Sequence, residues 1–223
     1  MTTGPRSSRT EVRRLPARAR YERDQIDAIL DEGLVAHVGF AGDDGPFVLP
    51  MAYGRDGDHL ILHGSPASRL LRSLKDGVDV CVTVTLVDGL VLARSAFHHS
   101  INYRSAVVVG RADVVDDPVE KGRLLEALVE HLVPGRAEHA RRPNEKELKA
   151  TLVLRLAISE ASAKVRTGPP LDDDDDLTMP IWAGVLPLGL RPGAPLADQH
   201  TPPGIEPPAY LTTPLRFQAP TSG

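Results

Sequence analysis

The chain has 223 residues and a single cysteine, Cys81. That one thiol excludes an intramolecular disulfide and any cysteine-based zinc site, and it fits a reducing cytoplasm. A basic excess is also missing. The formal net charge is −4, so no phosphate-tracking surface for nucleic acid is expected. No apolar run approaches the ~20 residues that cross a bilayer, so no membrane span is expected. The N-terminus is basic at Arg6, Arg9, Arg13 and Arg14, but no apolar stretch follows, so it does not read as a secretory signal. There is no Walker A loop, no strand-linked G-x-G-x-x-G, no G-x-S-x-G elbow and no internal repeat.

What is present is an α+β pattern between two atypical ends. Hydrophobic residues make up 41% of the chain and charged residues 25%, an ordinary globular balance. Twelve of the 20 prolines fall between Pro169 and Pro220, where long helices and central strands are excluded. The chain is therefore divided into a flexible N-terminus (1–18), a folded domain (19–168), an arm packing near the site (169–190) and a flexible proline-rich tail (191–223). Within the domain, Ile26, Ile29 and Leu30 mark a short amphipathic helix over 21–32 that Gly33 terminates. Strands are expected over 34–40, 47–53 and 59–63, with Asp43-Asp44-Gly45 as a turn. Ser65 and Pro66 read as the N-cap and first position of a helix ending near Lys75. A β-branched strand over 78–86 is expected to turn at Asp88-Gly89 and pair back through 90–97. Further strands are expected over 103–115, with a bend at Gly110, and over 151–162. A helix capped by Asp117-Pro118 lies between them. Six or seven antiparallel strands with short helices point to a closed or nearly closed barrel.

Two segments carry candidate chemistry. In His63-Gly64-Ser65-Pro66-Ala67-Ser68-Arg69 a strand ends and a helix begins. Free N–H groups, two hydroxyls and a guanidinium there suit a phosphate, although an ordinary capped helix with a surface arginine would look the same. The segment from Phe97 to Ser105 places polar side chains at the entrance of an apolar strand, either as a cleft lining or as a plain loop. His98 and His99 are adjacent and point to opposite faces, so they do not read as ligands of one ion. The run Asp172–Asp176 lacks the glycine and terminal glutamate of an EF-hand loop and reads as a solvated linker. No metal site is expected.

Taken in order, Leu49-Pro50-Met51-Ala52-Tyr53, His63-Gly64-Ser65, Asn102-Tyr103-Arg104-Ser105 with Gly110, Lys164 with Arg166, and Trp182-Ala183-Gly184 with Pro187 resemble one family. It is the flavin-nucleotide-binding branch of the pyridoxamine 5′-phosphate oxidase superfamily, which includes nitroimidazole-resistance proteins. The resemblance spans roughly residues 15–188. It implies a mainly β, α+β fold, the FMN-binding split β-barrel with short flanking helices and a proline-rich C-terminal arm, and a homodimer with FMN at the subunit interface. It also implies that Pro50, Met51, Ala52 and Tyr53 lie along the flavin ring and that His63, Ser65, Ser68 and Arg69 hold the phosphate. Arg104 and Ser105 would approach flavin or phosphate, Lys164 a phosphate or substrate, and Trp182 would close the site. The arginine-rich C-terminal substrate motif of true pyridoxamine-phosphate oxidases is missing, which argues against vitamin B6 oxidation. The implied function is an FMN-dependent oxidoreductase of a small molecule, with Tyr53 and His98 as candidate proton donors. Alternatives are a non-catalytic flavin carrier, a haem-binding or haem-degrading relative, and a deazaflavin in place of FMN.

Overall fold

The computed structural model describes residues 4–42 and 44–212. Asp43 of the predicted turn and the last part of the tail, 213–223, lie outside the described residues, as do residues 1–3. Among the described residues, eleven strands in two sheets, all paired antiparallel, enclose one aliphatic core. In the larger sheet β1 (Ala19–Arg20), β10 (Ala161–Arg166), β7 (Ser100–Gly110), β6 (Val80–Leu92), β2 (Val35–Gly42) and β3 (Gly45–Ala52) lie side by side. β11 (Gly184–Pro187) joins the same sheet on β6. The smaller sheet runs β4 (Gly54–Asp56), β5 (His59–Gly64), β9 (Leu152–Ala157), β8 (Ala112–Val114). The chain passes between sheets at Tyr53, through the helix between β5 and β6, at Arg111 and at the 158–160 turn, so β3 leads into β4, β5 into β6, β7 into β8 and β9 into β10. Those four crossings make the split barrel expected from the sequence.

The period-2 alternation of the strands decides which face is interior. Ala36, Val38 and Phe40 of β2, Val80, Val82 and Val84 of β6, and Ala106 and Val108 of β7 point inward and are buried. They meet Leu60 and Leu62 of β5 and Leu154 and Leu156 of β9 across the core. Two helices plug the barrel: α1 (Arg23–Glu32) through Ile26, Ile29 and Leu30, and α2 (Arg69–Lys75) through Leu70, Leu71 and Leu74. Each buried Leu or Ile contributes about 1.5–3 kcal/mol by leaving water. A satellite cluster of Ile61, Val115, Leu124, Leu128 and Val153 fixes α3 (Pro118–Leu132) to the outside of the smaller sheet. Asp117 caps α3 as predicted, its side chain accepting from the N–H groups of Val119 and Glu120.

Four local expectations are corrected. Asp88-Gly89 is not a hairpin turn: β6 runs straight through it, with a register shift between Val87 and Gly89. Gly89 serves close approach, since a Cβ there would lie 3.0 Å from the Leu186 carbonyl oxygen of β11. α2 begins at Arg69 with Ser68 as its N-cap, three residues later than Ser65-Pro66 suggested; Ser65 Oγ instead accepts from the Ala67 N–H in a turn. The segment 151–162 is two strands, β9 and β10, in different sheets. A short helix, α4 (Glu145–Ala150), stands where no element is expected, started by a capping box of Asn144 and Glu147. Gly33 does end α1, but with φ −69° rather than a left-handed turn. Its lack of a side chain matters because a Cβ would lie 2.3 Å from Val84 Cγ1 and 2.7 Å from the Tyr53 hydroxyl.

The ends are tied to this frame at specific points. Near the N-terminus, Ser7 and Arg9 both donate to the Glu160 carboxylate, and Thr10 is buried. The arm adds β11 to the sheet, and the Leu188 N–H donates to the Asp88 carbonyl at 3.0 Å. Farther on, a short helix, α5 (Ala209–Thr212), places the Tyr210 ring 5.4 Å from that of His139. Among the described residues no helix is long and apolar enough to cross a membrane.

Candidate functional site

The outer face of the larger sheet is open. Opposite the inward residues, β2 and β3 present Val35 and Val48, 47% and 64% exposed, and β6 presents Cys81, also exposed. β3 ends the sheet, and an edge strand accommodates Pro46 and Pro50, which donate no ladder hydrogen bond. Val48, Leu49 and Pro50 are all exposed there, while Met51 turns partly into the core and Ala52 is half-buried.

The start of α2 lies beside this edge. The Arg69 guanidinium stacks over the Phe47 ring of β3, 4.7 Å from its centroid. Its ion pair with Asp44 is long, 3.8 Å. Ser68 caps α2 without using its hydroxyl for the helix N–H groups. Phe47 itself stacks on the inward-facing Phe40 at 5.5 Å, so the guanidinium and the Ser68 hydroxyl stand at the β3 edge on the side of Leu49, opposite Val48 and Pro50; an exposed edge beside a guanidinium and a hydroxyl suits an aromatic ring joined to a phosphate. Phe47, which orients Arg69, was not among the predicted residues. The sequence signal for it is weak, because the stacking partner is 22 positions away.

Ser105 and Lys164 form a second group. They sit directly opposite one another on β7 and β10, and the Ser105 hydroxyl donates to the Lys164 carbonyl at 3.3 Å. Their neighbours Ala106 and Ala163 are buried inward, so both side chains belong to the outer face. Three to four strand spacings, ~14–19 Å, separate them from β3 in the same chain.

Four predicted residues lie elsewhere. Tyr53 is wholly buried, and its hydroxyl donates to the Leu30 carbonyl at 2.5 Å. It is a core tether between β3 and α1, not a residue along a ring or a proton donor to solvent. Arg104 is held by two carboxylates. Its Nε and Nη2 donate to Asp88 at 2.9 and 2.7 Å, and Nη1 and Nη2 donate to Glu32 at 2.5 and 2.8 Å. Both carboxylates raise its pKa further, and four of its five N–H groups are used, so it ties the end of α1 to the β6 bulge instead of meeting a phosphate. His63 lines a cavity of about 300 Å³ under α3 with Leu125, Leu128, Val129 and Arg141, and no other predicted site residue lines it. Its Nδ1 is buried without a partner among the described residues, and burial pushes its pKa below the usual 6.5. Trp182 is 70% exposed on the arm and lies over Gly184 at the start of β11, beside the far half of β6. Of the other candidate donor, His98, the Nε2 lies 3.2 Å from Asp173.

Comparison with known proteins agrees with the fold. Residues 22–165 match the family model for pyridoxamine 5′-phosphate oxidase. No curated protein sequence matches the chain. Among solved structures, the flavocytochrome Anf3 from Azotobacter vinelandii is 41% identical, covers 97% of this chain and 100% of its own, and superposes with a TM-score of 0.89. An FAD- and haem-binding protein from Mycobacterium smegmatis is 38% identical over 87% of this chain and 96% of its own, with a TM-score of 0.84. A chain from Bacteroides thetaiotaomicron assigned to 5-nitroimidazole antibiotic resistance shares the fold at 23% identity, covering 66% of this chain and 86% of its own, with a TM-score of 0.57. The chain belongs to the pyridoxamine 5′-phosphate oxidase family, in its flavin-binding split-barrel form.

Proposed function

We propose that this family member is a redox flavoprotein that binds FAD along the exposed edge of β3, with a phosphate at Ser68 and Arg69. The single observation that carries the placement is the stack of Arg69 on Phe47, which holds a phosphate-binding group on the side of the β3 edge shared by the exposed Leu49. FAD replaces the expected FMN because the M. smegmatis relative binds FAD, and an FAD carries the same ring and first phosphate. When bound, the flavin supplies electron or hydride transfer; the protein supplies position and charge. Ser68 and Arg69 hold the phosphate, and the exposed β3 edge at Leu49 excludes water from one side of the ring. The electron acceptor is a small molecule of unassigned identity. A cytoplasmic location fits the exposed lone thiol of Cys81.

The same reading calls for a homodimer. Ser105 and Lys164 are too far from β3 of their own chain to touch the same ring, so the partner's copies complete the site. The open apolar face of the larger sheet is the surface that brings them there. Light scattering at micromolar concentration is expected to give twice the chain mass. A monomer that binds flavin with full affinity overturns this arrangement.

Haem is a second cofactor in this proposal, favoured over the flavin-only reading by the flavocytochrome relatives and by one feature of the chain. His99, His131 and His139 each place a ring nitrogen 3.0–3.1 Å from a backbone carbonyl. His63 has a buried nitrogen with no partner among the described residues, in a cavity lined by Leu125, Leu128, Val129 and Ala140 on one side and by Glu126, Arg141, Arg142 and Glu147 on the other. An unpartnered imidazole nitrogen suits haem iron, the arginines suit its carboxylates, and His63 is the residue assigned to hold it. The purified protein is expected to show flavin absorption and, after haem addition, a Soret band. Acid extraction and chromatography are expected to release FAD. Loss of the Soret band in His63→Ala and its retention in His37→Ala, an exposed histidine on β2, support the assignment. A colourless protein that binds neither flavin nor haem by calorimetry refutes the whole reading.

A further inference from the structure

The geometry points to a divalent transition-metal site made by His98, Asp173 and Asp176, which clamps the C-terminal arm to the β6–β7 connection. It lies outside the flavin and haem assignments and does not depend on them. One donor atom from each of the three side chains lies within 4.8 Å of the other two. The His98 Nε2 and an Asp173 oxygen are already 3.2 Å apart. Zinc-like ions bind nitrogen and oxygen at about 2.0–2.2 Å, so two ligands on one ion sit about 3.0–3.5 Å apart. The first pair meets that spacing as it stands. The Asp176 carboxylate stands within 4.8 Å of both.

Local structure explains why these members of the five-aspartate run converge. Residues 174–176 form a 3₁₀ turn with Asp173 as N-cap, closed by the Asp176 N–H donating to the Asp173 carbonyl at 3.0 Å. With three residues per turn, positions i and i+3 eclipse, so Asp173 and Asp176 share a side, and Asp174 and Asp175 do not join them. Across from them, Ala96–His98 form a second 3₁₀ turn, capped by Ser95 Oγ accepting from the Phe97 N–H at 3.2 Å. The Phe97 ring packs edge-on to His98, 5.1 Å between centroids. His99 turns away, with Nδ1 3.0 Å from the Ser95 carbonyl, so one imidazole faces the carboxylates.

Asp172 makes the pair of turns a preformed unit. Its buried carboxylate accepts from the Arg94 N–H and the Arg94 guanidinium, both at 2.9 Å, and from the Ser95 N–H at 3.5 Å. The arm is thus bolted one residue before Asp173, and the 94–98 segment is bolted three residues before His98. The protein, not the ion, holds the ligands near one another, which lowers the ordering cost of binding. Two carboxylates neutralise a divalent charge. The imidazole selects first-row transition ions over Mg²⁺ and Ca²⁺, which favour oxygen ligands. Three protein ligands leave the remaining positions to water.

The test is calorimetric titration of EDTA-treated full-length protein with Zn²⁺, repeated with Mg²⁺, alongside thermal melts. One Zn²⁺ per chain is expected to bind and raise Tm, with Mg²⁺ at least tenfold weaker. His98→Ala, Asp173→Asn and Asp176→Asn are each expected to weaken Zn²⁺ at least tenfold. Asp174→Asn, which removes the same charge from the same run, is expected to leave affinity within about twofold. Far-UV circular dichroism and the melt without metal show whether each variant is folded. Equal losses in Asp174→Asn and Asp176→Asn mean general attraction to an acidic stretch and overturn the site. So does unchanged binding in folded His98→Ala.

Discussion

The two faces of the seven-stranded sheet are built from the same strands and differ in what completes them. On the inner face Val38, Val82, Ala106 and Val108 are sealed by the other sheet and by α1 and α2. On the outer face Val35 and Val48 stand in water, and at the free β3 edge beside it Arg69 and Ser68 are left with few commitments. The inner face is finished by the chain itself. In the proposed function the outer face and the free β3 edge are finished by a second copy and a cofactor. The contrast also sorts the predicted site residues: Tyr53 and Arg104 belong to the self-completed part, while Pro50 and Lys164 belong to the outer face and Arg69 to the free edge.

The sharpest challenge to that contrast is a matched pair of truncations. Leu62→Ala, at a wholly buried inner position, is expected to cost about 2–5 kcal/mol in denaturant unfolding. Val48→Ala, on the outer face, is expected to stay within ~0.5 kcal/mol in the monomer. Val48→Asp is expected to leave the fold intact and shift light scattering toward monomer. A large loss of monomer stability from Val48→Ala breaks the division between the faces.

Arg69→Ala tests the outer face through its ligand. A hydrogen bond to a charged group contributes about 1.5–3 kcal/mol, so flavin nucleotide binding is expected to weaken roughly tenfold to a hundredfold. Riboflavin, which has no phosphate, is expected to change little. Equal losses for both would move Arg69 from the phosphate to the ring or to folding.

Tyr53→Phe tests the inner face. Removing the hydroxyl leaves the buried Leu30 carbonyl without that donor, at an expected cost of about 1–3 kcal/mol. Flavin affinity and the flavin's reduction potential are expected to match those of the unmodified protein. A shifted potential without a stability loss would return Tyr53 to the cofactor.

The smallest expected effect is a pH slope. Burial lowers the His63 pKa in the folded protein below its unfolded value near 6.5. As pH falls below about 6.5, the unfolded chain takes up a proton that the folded chain resists, so stability declines until the folded pKa is reached. Without haem, His63→Leu is expected to flatten this part of the stability–pH curve measured by urea unfolding. An unchanged slope would place the acid sensitivity elsewhere.

Much of this molecule follows from the order of its residues. Period-2 alternation in 34–40 and 78–86 marked strands and their inward faces, and Asp117-Pro118 marked a helix start. These signals are local, because pleat and capping act over a few residues. The ordered motifs from Leu49 to Trp182 also carried the family and the split barrel. What local signals could not carry were pairings across long separations. Asp88-Gly89 has turn chemistry, yet β11, nearly a hundred residues on, pairs there and needs the glycine flat and bare. Arg104 has the chemistry of a phosphate ligand, yet Glu32, 72 residues away, consumes it. His98 and the five aspartates read as unrelated until Asp172 bound Arg94 and brought them face to face. Residue type sets which interactions a side chain is able to make; only the packed fold decides which partner reaches it first.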